Sequence, residues 1–250
     1  SPGEIKRGPF AASDLAEKGH KNERSPLFRD STFCAGCHEV VNRLGLHVMS
    51  TFSEWSQSPY AAQRIACQNC HLPQDIRFPT IHPSVGVTTH TATSHSMLGG
   101  HSALQLRGAG MLALRVYVVG SVVDVSVDVS NVEAGHFLPT GLPSRKVALK
   151  VGLFDEKESK IMEKEIEYKR VLGDTQGRPI PAGNISDLFL NSSSVISDSR
   201  IPPKESRQER IRFETSRFRR ARSAVATLEY RLEPARPQGP FPALRLAQQK

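Results

Sequence analysis

All four cysteines of the chain fall in two short runs, Cys34-Ala35-Gly36-Cys37-His38 and Cys67-Gln68-Asn69-Cys70-His71. Two cysteines three apart can each form a thioether to one vinyl group of a haem, and a histidine directly after them is placed to bind the iron. Four thiolates could instead hold a structural zinc, or pair as two disulfides in an exported protein. Neither alternative needs a histidine after each pair. The spacing therefore predicts two covalently bound haem c groups, with Cys34, Cys37, Cys67 and Cys70 as attachment points and His38 and His71 as proximal ligands.

Each iron has a sixth position to fill. Seven further histidines compete for it, His20, His47, His82, His90, His95, His101 and His136, together with Met49 and Met97. A thioether ligand would raise the reduction potential relative to histidine. Spacing alone does not decide between them. Gly99-Gly100, beside the dense run of histidines from His82 to His101, would let the backbone approach a flat cofactor closely.

The elements that must position these residues change character along the chain. Up to Thr32 the sequence is polar, with Gly8-Pro9 and Ser25-Pro26 as turn signals, and reads as an arm carrying His20. Glu39 to Leu44 is expected to continue the first motif as a short helix ending near Gly45. Thr51-Phe52-Ser53-Glu54 fits a capping box with Thr51 as N-cap, opening a helix that holds Trp55 and is stopped or kinked at Pro59. Trp55 and Tyr60 are expected to pack against porphyrin. The second motif is expected on a short helix ending at Pro73.

From about Ala109 the apolar period becomes two. Leu112 to Val118, then Val123, Val125, Val127 and Val129 alternating with Asp124, Ser126 and Asp128, predict strands with one buried face around a turn at Gly120-Ser121. Val147 to Phe154, a stretch with Ile166 and Tyr168 facing in, Arg210 to Glu214 and Ala224 to Leu232 bring the strands to at least six. The expected fold is α+β in two domains. Residues 1–106 form a loop-rich dihaem cytochrome c domain of short helices. Residues 107–250 form an antiparallel immunoglobulin-like β-sandwich, with an extended tail from Pro234 that could lie along a neighbouring subunit. The turn Gly135-His136-Phe137-Leu138-Pro139 is either a corner between strands or a loop folded back on a haem.

The runs Arg7-Gly8-Pro9-Phe10 with His20, Ser31-Thr32-Phe33 before the first motif, Thr51 to Trp55 with Ser58-Pro59-Tyr60, and His95-Ser96-Met97-Leu98-Gly99-Gly100 carry a resemblance. They resemble the haem-binding part of bacterial multihaem c-type cytochromes, a broad group that includes cytochrome c554-like proteins. The resemblance covers about the first hundred residues. It implies an electron carrier with bis-histidine haems, His38 and His71 proximal, and His20 and His95 as leading distal ligands. His101 and His136 are the alternatives. The segment around His136 is similar to one found downstream of the haem motifs in some of these proteins. With only two motifs, this chain would be a relay, or one end of a relay completed by other subunits.

Covalent haem attachment belongs to the periplasm or cell exterior, and Ser1 to Arg7 has no apolar leader core, so an exported chain with its leader removed is expected. The most apolar run, Met111 to Val129, is interrupted by Arg115, Asp124 and Asp128 and alternates like strands, so no transmembrane segment is expected. The formal charge of +8 would be offset by haem propionates, and with basic charge as its only support, nucleic-acid binding is disfavoured. Arg217, Arg219, Arg220 and Arg222 form a basic cluster that is either a solvated loop face or a dock for an acidic partner. The leading function is a soluble or peripherally attached electron carrier acting with redox partner proteins, including other cytochrome subunits or a membrane complex, rather than an enzyme. A haem enzyme, such as a peroxidase or a nitrogen-oxyanion reductase, would need an open iron. A mainly structural subunit of an electron-transfer complex is the third reading.

Overall fold

The computed structural model describes residues 5–9, 21–72, 76–82, 86–92, 94, 96–214, 221–232 and 244–249. The chain begins with β1 (Ile5–Gly8), paired in parallel with β2 (Lys21–Arg24). A short 3-10 turn then leads to α1 (Thr32–His38). Next come β3 (Glu39–Val41) and β4 (His47–Ser50), an antiparallel hairpin. The helical continuation expected over Glu39 to Leu44 is therefore a strand and a turn. The side-chain Oδ1 of Asn42 accepts from the backbone N–H of both Leu44 and Leu46, and Gly45 takes φ +82, so the chain reverses where a helix would have run on.

Three short helices follow, α2 (Thr51–Ser56), α3 (Pro59–Ala62) and α4 (Cys67–His71). The N-cap of α2 is Ser50, one residue earlier than expected. Thr51 spends its hydroxyl on Thr140, 2.9 Å away. Pro59 opens α3 at the position where a missing N–H costs nothing, while the Ser58 hydroxyl accepts from the N–H of Tyr60 and Ala61. The hairpin of β5 (Ile76–His82) and β6 (Gly86–Ala92) and the helix α5 (Ala103–Ala109) lead into the second half.

Two antiparallel sheets dominate that half. One orders β13 (Ser206–Glu214), β8 (Val122–Asn131) and β7 (Gly110–Val119). The other orders β10 (Lys160–Tyr168), β9 (Arg145–Phe154), β14 (Ser223–Leu232) and β15 (Leu244–Gln249). Val123, Val125, Val127 and Val129 of β8 meet Val147, Leu149, Val151 and Leu153 of β9 and Ala226 and Leu228 of β14 in one buried core. The period-two pattern thus aims one face of each sheet at the other. Phe213 is fully buried in this core. Phe213→Ala should lower unfolding stability by about 3–5 kcal/mol, read as a shift in denaturant midpoint.

A second, smaller core has no counterpart in the sequence reading. Val48 of β4 packs with Leu172 of β11 (Arg170–Gly173), Ile180, and Leu188 of α6 (Ile185–Leu190). The strand β11 pairs with β12 (Ser194–Asp198). Around this core, Asn42 donates to the Ser192 carbonyl at 2.6 Å and Arg43 to the Leu190 carbonyl at 3.1 Å. The early hairpin is thereby fastened to residues that follow the large sheets' first strands. Of the tail, residues 233–243 lie outside the described residues, and its end forms β15 on β14 of the same chain. No described helix is long and apolar enough to cross a membrane.

Candidate haem site

The two cysteine motifs lie on α1 and α4, and the start of α1 holds them together. Asp30 accepts from the N–H and the hydroxyl of Thr32 at 2.8 and 2.7 Å, fixing the entry to α1. These bonds hold its carboxyl below the usual range. The next residue, Ser31, is buried and accepts through Oγ from the Cys67 N–H at 3.0 Å, while Gln68 donates to the Asp30 carbonyl at 2.8 Å. The N-terminus of α4 is therefore docked on the N-terminus of α1. As a result Cys34 and Cys67, thirty-three positions apart in sequence, are brought side by side, and burial together with Cys67 pushes the Cys34 thiol up to about 11. All four cysteines are free thiols, with Cys37 and Cys70 exposed, and Cys70 is likewise pushed up by burial and by Glu133 and Cys67.

The histidines differ in hydrogen bonding and burial. The Nδ1 of His71 is hydrogen-bonded to the Leu98 carbonyl, and the Leu98 N–H returns a bond to the His71 carbonyl at 3.1 Å. With Nδ1 carrying the proton, Nε2 is left as the free lone pair, the arrangement that orients a metal-binding imidazole. His38 is more open. Partial burial, with the nearby Arg145 and His71, holds its ring below the usual imidazole range, which favours the neutral form that a metal needs.

His136 lies on the loop between β8 and β9. Its Nδ1 bonds the Phe137 carbonyl at 2.9 Å, and its own carbonyl accepts from Asn131 at 2.8 Å. Burial outweighs the Phe137 bond and the Glu54 charge, which oppose it, and the ring is held below its usual range. The His136 ring stands 6.2 Å from that of His71, centre to centre, with 19° between their planes.

Glu54 organises this loop. Its buried carboxylate accepts from the Phe137 N–H at 3.2 Å and the Thr140 hydroxyl at 2.6 Å through one oxygen, and from Ser50 at 2.9 Å and Arg200 at 2.7 Å through the other. Arg200 forks onto Asp198 at 2.8 and 2.7 Å and lies over the Phe137 ring. Gly135 reaches the first half directly, because a Cβ there would sit 3.3 Å from Tyr60 and 3.4 Å from Trp55. Trp55 and Tyr60 thus line this contact, with Trp55 Nε1 donating to the Ile65 carbonyl and Tyr60 Oη to the Val132 carbonyl.

Of the remaining candidates, His101 is exposed at the turn before α5, and His47 is exposed with Nδ1 on the Glu39 carboxylate at 2.5 Å. Met97 is exposed. His20, His95 and three of the clustered arginines, Arg217, Arg219 and Arg220, lie outside the described residues, as do the side chains of His82 and His90. Glu39 is subject to burial, which would raise its carboxyl. Bonds from the Ser53 N–H, His47 and the Ser53 hydroxyl prevail and hold it below its usual value of 4.5. A carboxylate depressed on folding contributes stability that is complete above its unfolded value and disappears as the pH falls through the folded one. Glu39→Gln should therefore flatten the acid limb of the stability curve, as measured by urea unfolding at neutral pH and below the ordinary carboxylate range.

No family model and no curated protein matches the sequence. Among solved structures the fold is similar to that of a penta-heme cytochrome c552 from Thermochromatium tepidum, at a TM-score of 0.70 and 22% identity over 95% of this chain. The match spans 60% of that protein's chain. At this identity the likeness establishes a shared fold.

Proposed function

We propose that this chain is a dihaem c-type cytochrome that carries electrons between redox partners, as a component of an exported or membrane-associated electron-transfer chain. The observation that carries the reading is the docking of two Cys-x-x-Cys-His helices on one another, with Cys34 against Cys67 and with Nε2 of His71 left free by the Leu98 bond. The donor set suits haem c. All four cysteines are unpaired thiols, and each pair ends directly in a histidine. The fold shared with a penta-heme cytochrome supports the same reading.

Cys34 and Cys37 would hold one haem and Cys67 and Cys70 the other, with His38 and His71 as their proximal ligands. His20 and His95 remain candidates for a distal position. Each haem, when bound, supplies a one-electron couple. The protein's part is to fix the attachment points within contact of each other, to set the tautomer of His71, and to surround the site with the loop that Glu54 and Asn131 hold. We read residues 1–106 as the haem-binding domain and 107–250 as an immunoglobulin-like sandwich that closes over it and offers surface for redox partners. Periplasmic or extracellular placement follows from the attachment chemistry.

Mass spectrometry of the denatured holoprotein tests this. A mass equal to the polypeptide plus two haems is expected, and a bare polypeptide that had released zinc would refute it.

A further inference from the structure

We infer that His136 is the sixth ligand of the iron whose proximal ligand is His71, so that the loop after β8 closes the second haem from the opposite side. This rests on the haem reading above and adds the residue that reading left open. With a metal–imidazole bond of about 2.0–2.1 Å and a ring centre about 1.1 Å beyond the nitrogen, two imidazoles on opposite sides of one metal have centres about 6.2–6.4 Å apart. The His71 and His136 rings are 6.2 Å apart. That distance lies toward the far end of the range for an aromatic pair, so ring contact alone gives little reason for the two to be held at this separation.

Two other observations agree. Both rings place Nδ1 on a backbone carbonyl, Leu98 for His71 and Phe137 for His136, leaving Nε2 on each as the nitrogen available to a metal. The peptide that follows His136 is fixed at both of its polar ends, by Asn131 at the His136 carbonyl and by Glu54 at the Phe137 N–H. Glu54 is then a positioning residue, which holds the ligand's loop by accepting from the Phe137 N–H. His20 and His95 are left to serve the iron behind His38.

The test is His136→Ala, made in the full chain and matured with haem. Two haems should remain attached, while one of the two irons passes from low-spin to high-spin and returns to low-spin when imidazole is added. Two attached haems that both stay low-spin would overturn the assignment. Absence of covalent haem from the wild-type protein would instead be a failure of the underlying haem reading. If the variant does not mature, the wild-type EPR spectrum decides. Imidazole planes 19° apart should give a well-resolved rhombic low-spin signal from one iron, whereas nearly perpendicular planes give a single high-g feature. A wild-type spectrum without the rhombic component would overturn the proposal.

Discussion

Replacing Cys67 and Cys70 together by alanine is expected to halve the haem content, from two per chain to one. On the proposed reading each motif would supply both thioethers for its own haem, so the loss should be confined to the second site, and haem absorbance per polypeptide measures it directly. The effect should extend to the surviving haem. Cys34 and Cys67 are neighbours, so removing a haem attached at Cys67 would uncover the edge of one attached at Cys34. Greater exposure to water changes the potential of the remaining centre. In the reciprocal variant, Cys34→Ala with Cys37→Ala, the second haem should be retained with His71 and His136 still arranged about it. Unchanged haem content in either double variant would show that the motifs are not attachment sites.

Arg200→Leu is expected to cost about 3–5 kcal/mol of unfolding stability, the usual penalty for removing one partner of a buried ion pair. The Arg200 and Glu54 side chains are each only 6% exposed and 2.7 Å apart. Burial works against the charge on Arg200, but the bonds to Asp198 and the charge of Glu54 outweigh it. Without the guanidinium, the Glu54 carboxylate would remain buried, still bonded to Ser50, Phe137 and Thr140 but with its compensating charge gone. Exchanging both residues, as in Glu54→Gln with Arg200→Met, should recover much of the loss because no buried charge is then stranded. Denaturant midpoints of the two singles and the double give the coupling. The same Arg200→Leu variant should also loosen the His136 loop and raise the fraction of high-spin iron, which a change in stability alone would not produce.

The chemistry-bearing residues were legible because their meaning is local. A Cys-x-x-Cys-His run needs no tertiary information to be recognised, and the alternation of Val123 to Val129 with Asp124 to Asp128 shows a half-buried strand by itself. The strand at Glu39–Val41 was misread as helix although its signals were also local. The β-branched Val40 and Val41, with Asn42 and Gly45 after them, describe a hairpin once the Asn42 side chain is seen to bridge Leu44 and Leu46. Glu54 is a different case. Its place four residues into a helix suggested a cap, and nothing nearby announces that its partner is Arg200, 146 positions away. The same holds for Val48 and Leu188, whose shared core joins the early hairpin to α6. His136 stood out in sequence as a histidine in a rigid turn, but only the fold brings it opposite His71.

A potentiometric titration of the holoprotein, followed by its visible spectrum, tests the electron-carrier account most directly. The account predicts reversible uptake of two electrons per chain, with both irons low-spin in the oxidised and reduced states and neither binding added carbon monoxide or cyanide. A high-spin iron that binds these ligands and turns over peroxide or a nitrogen oxyanion would contradict it, and would make the chain an enzyme instead.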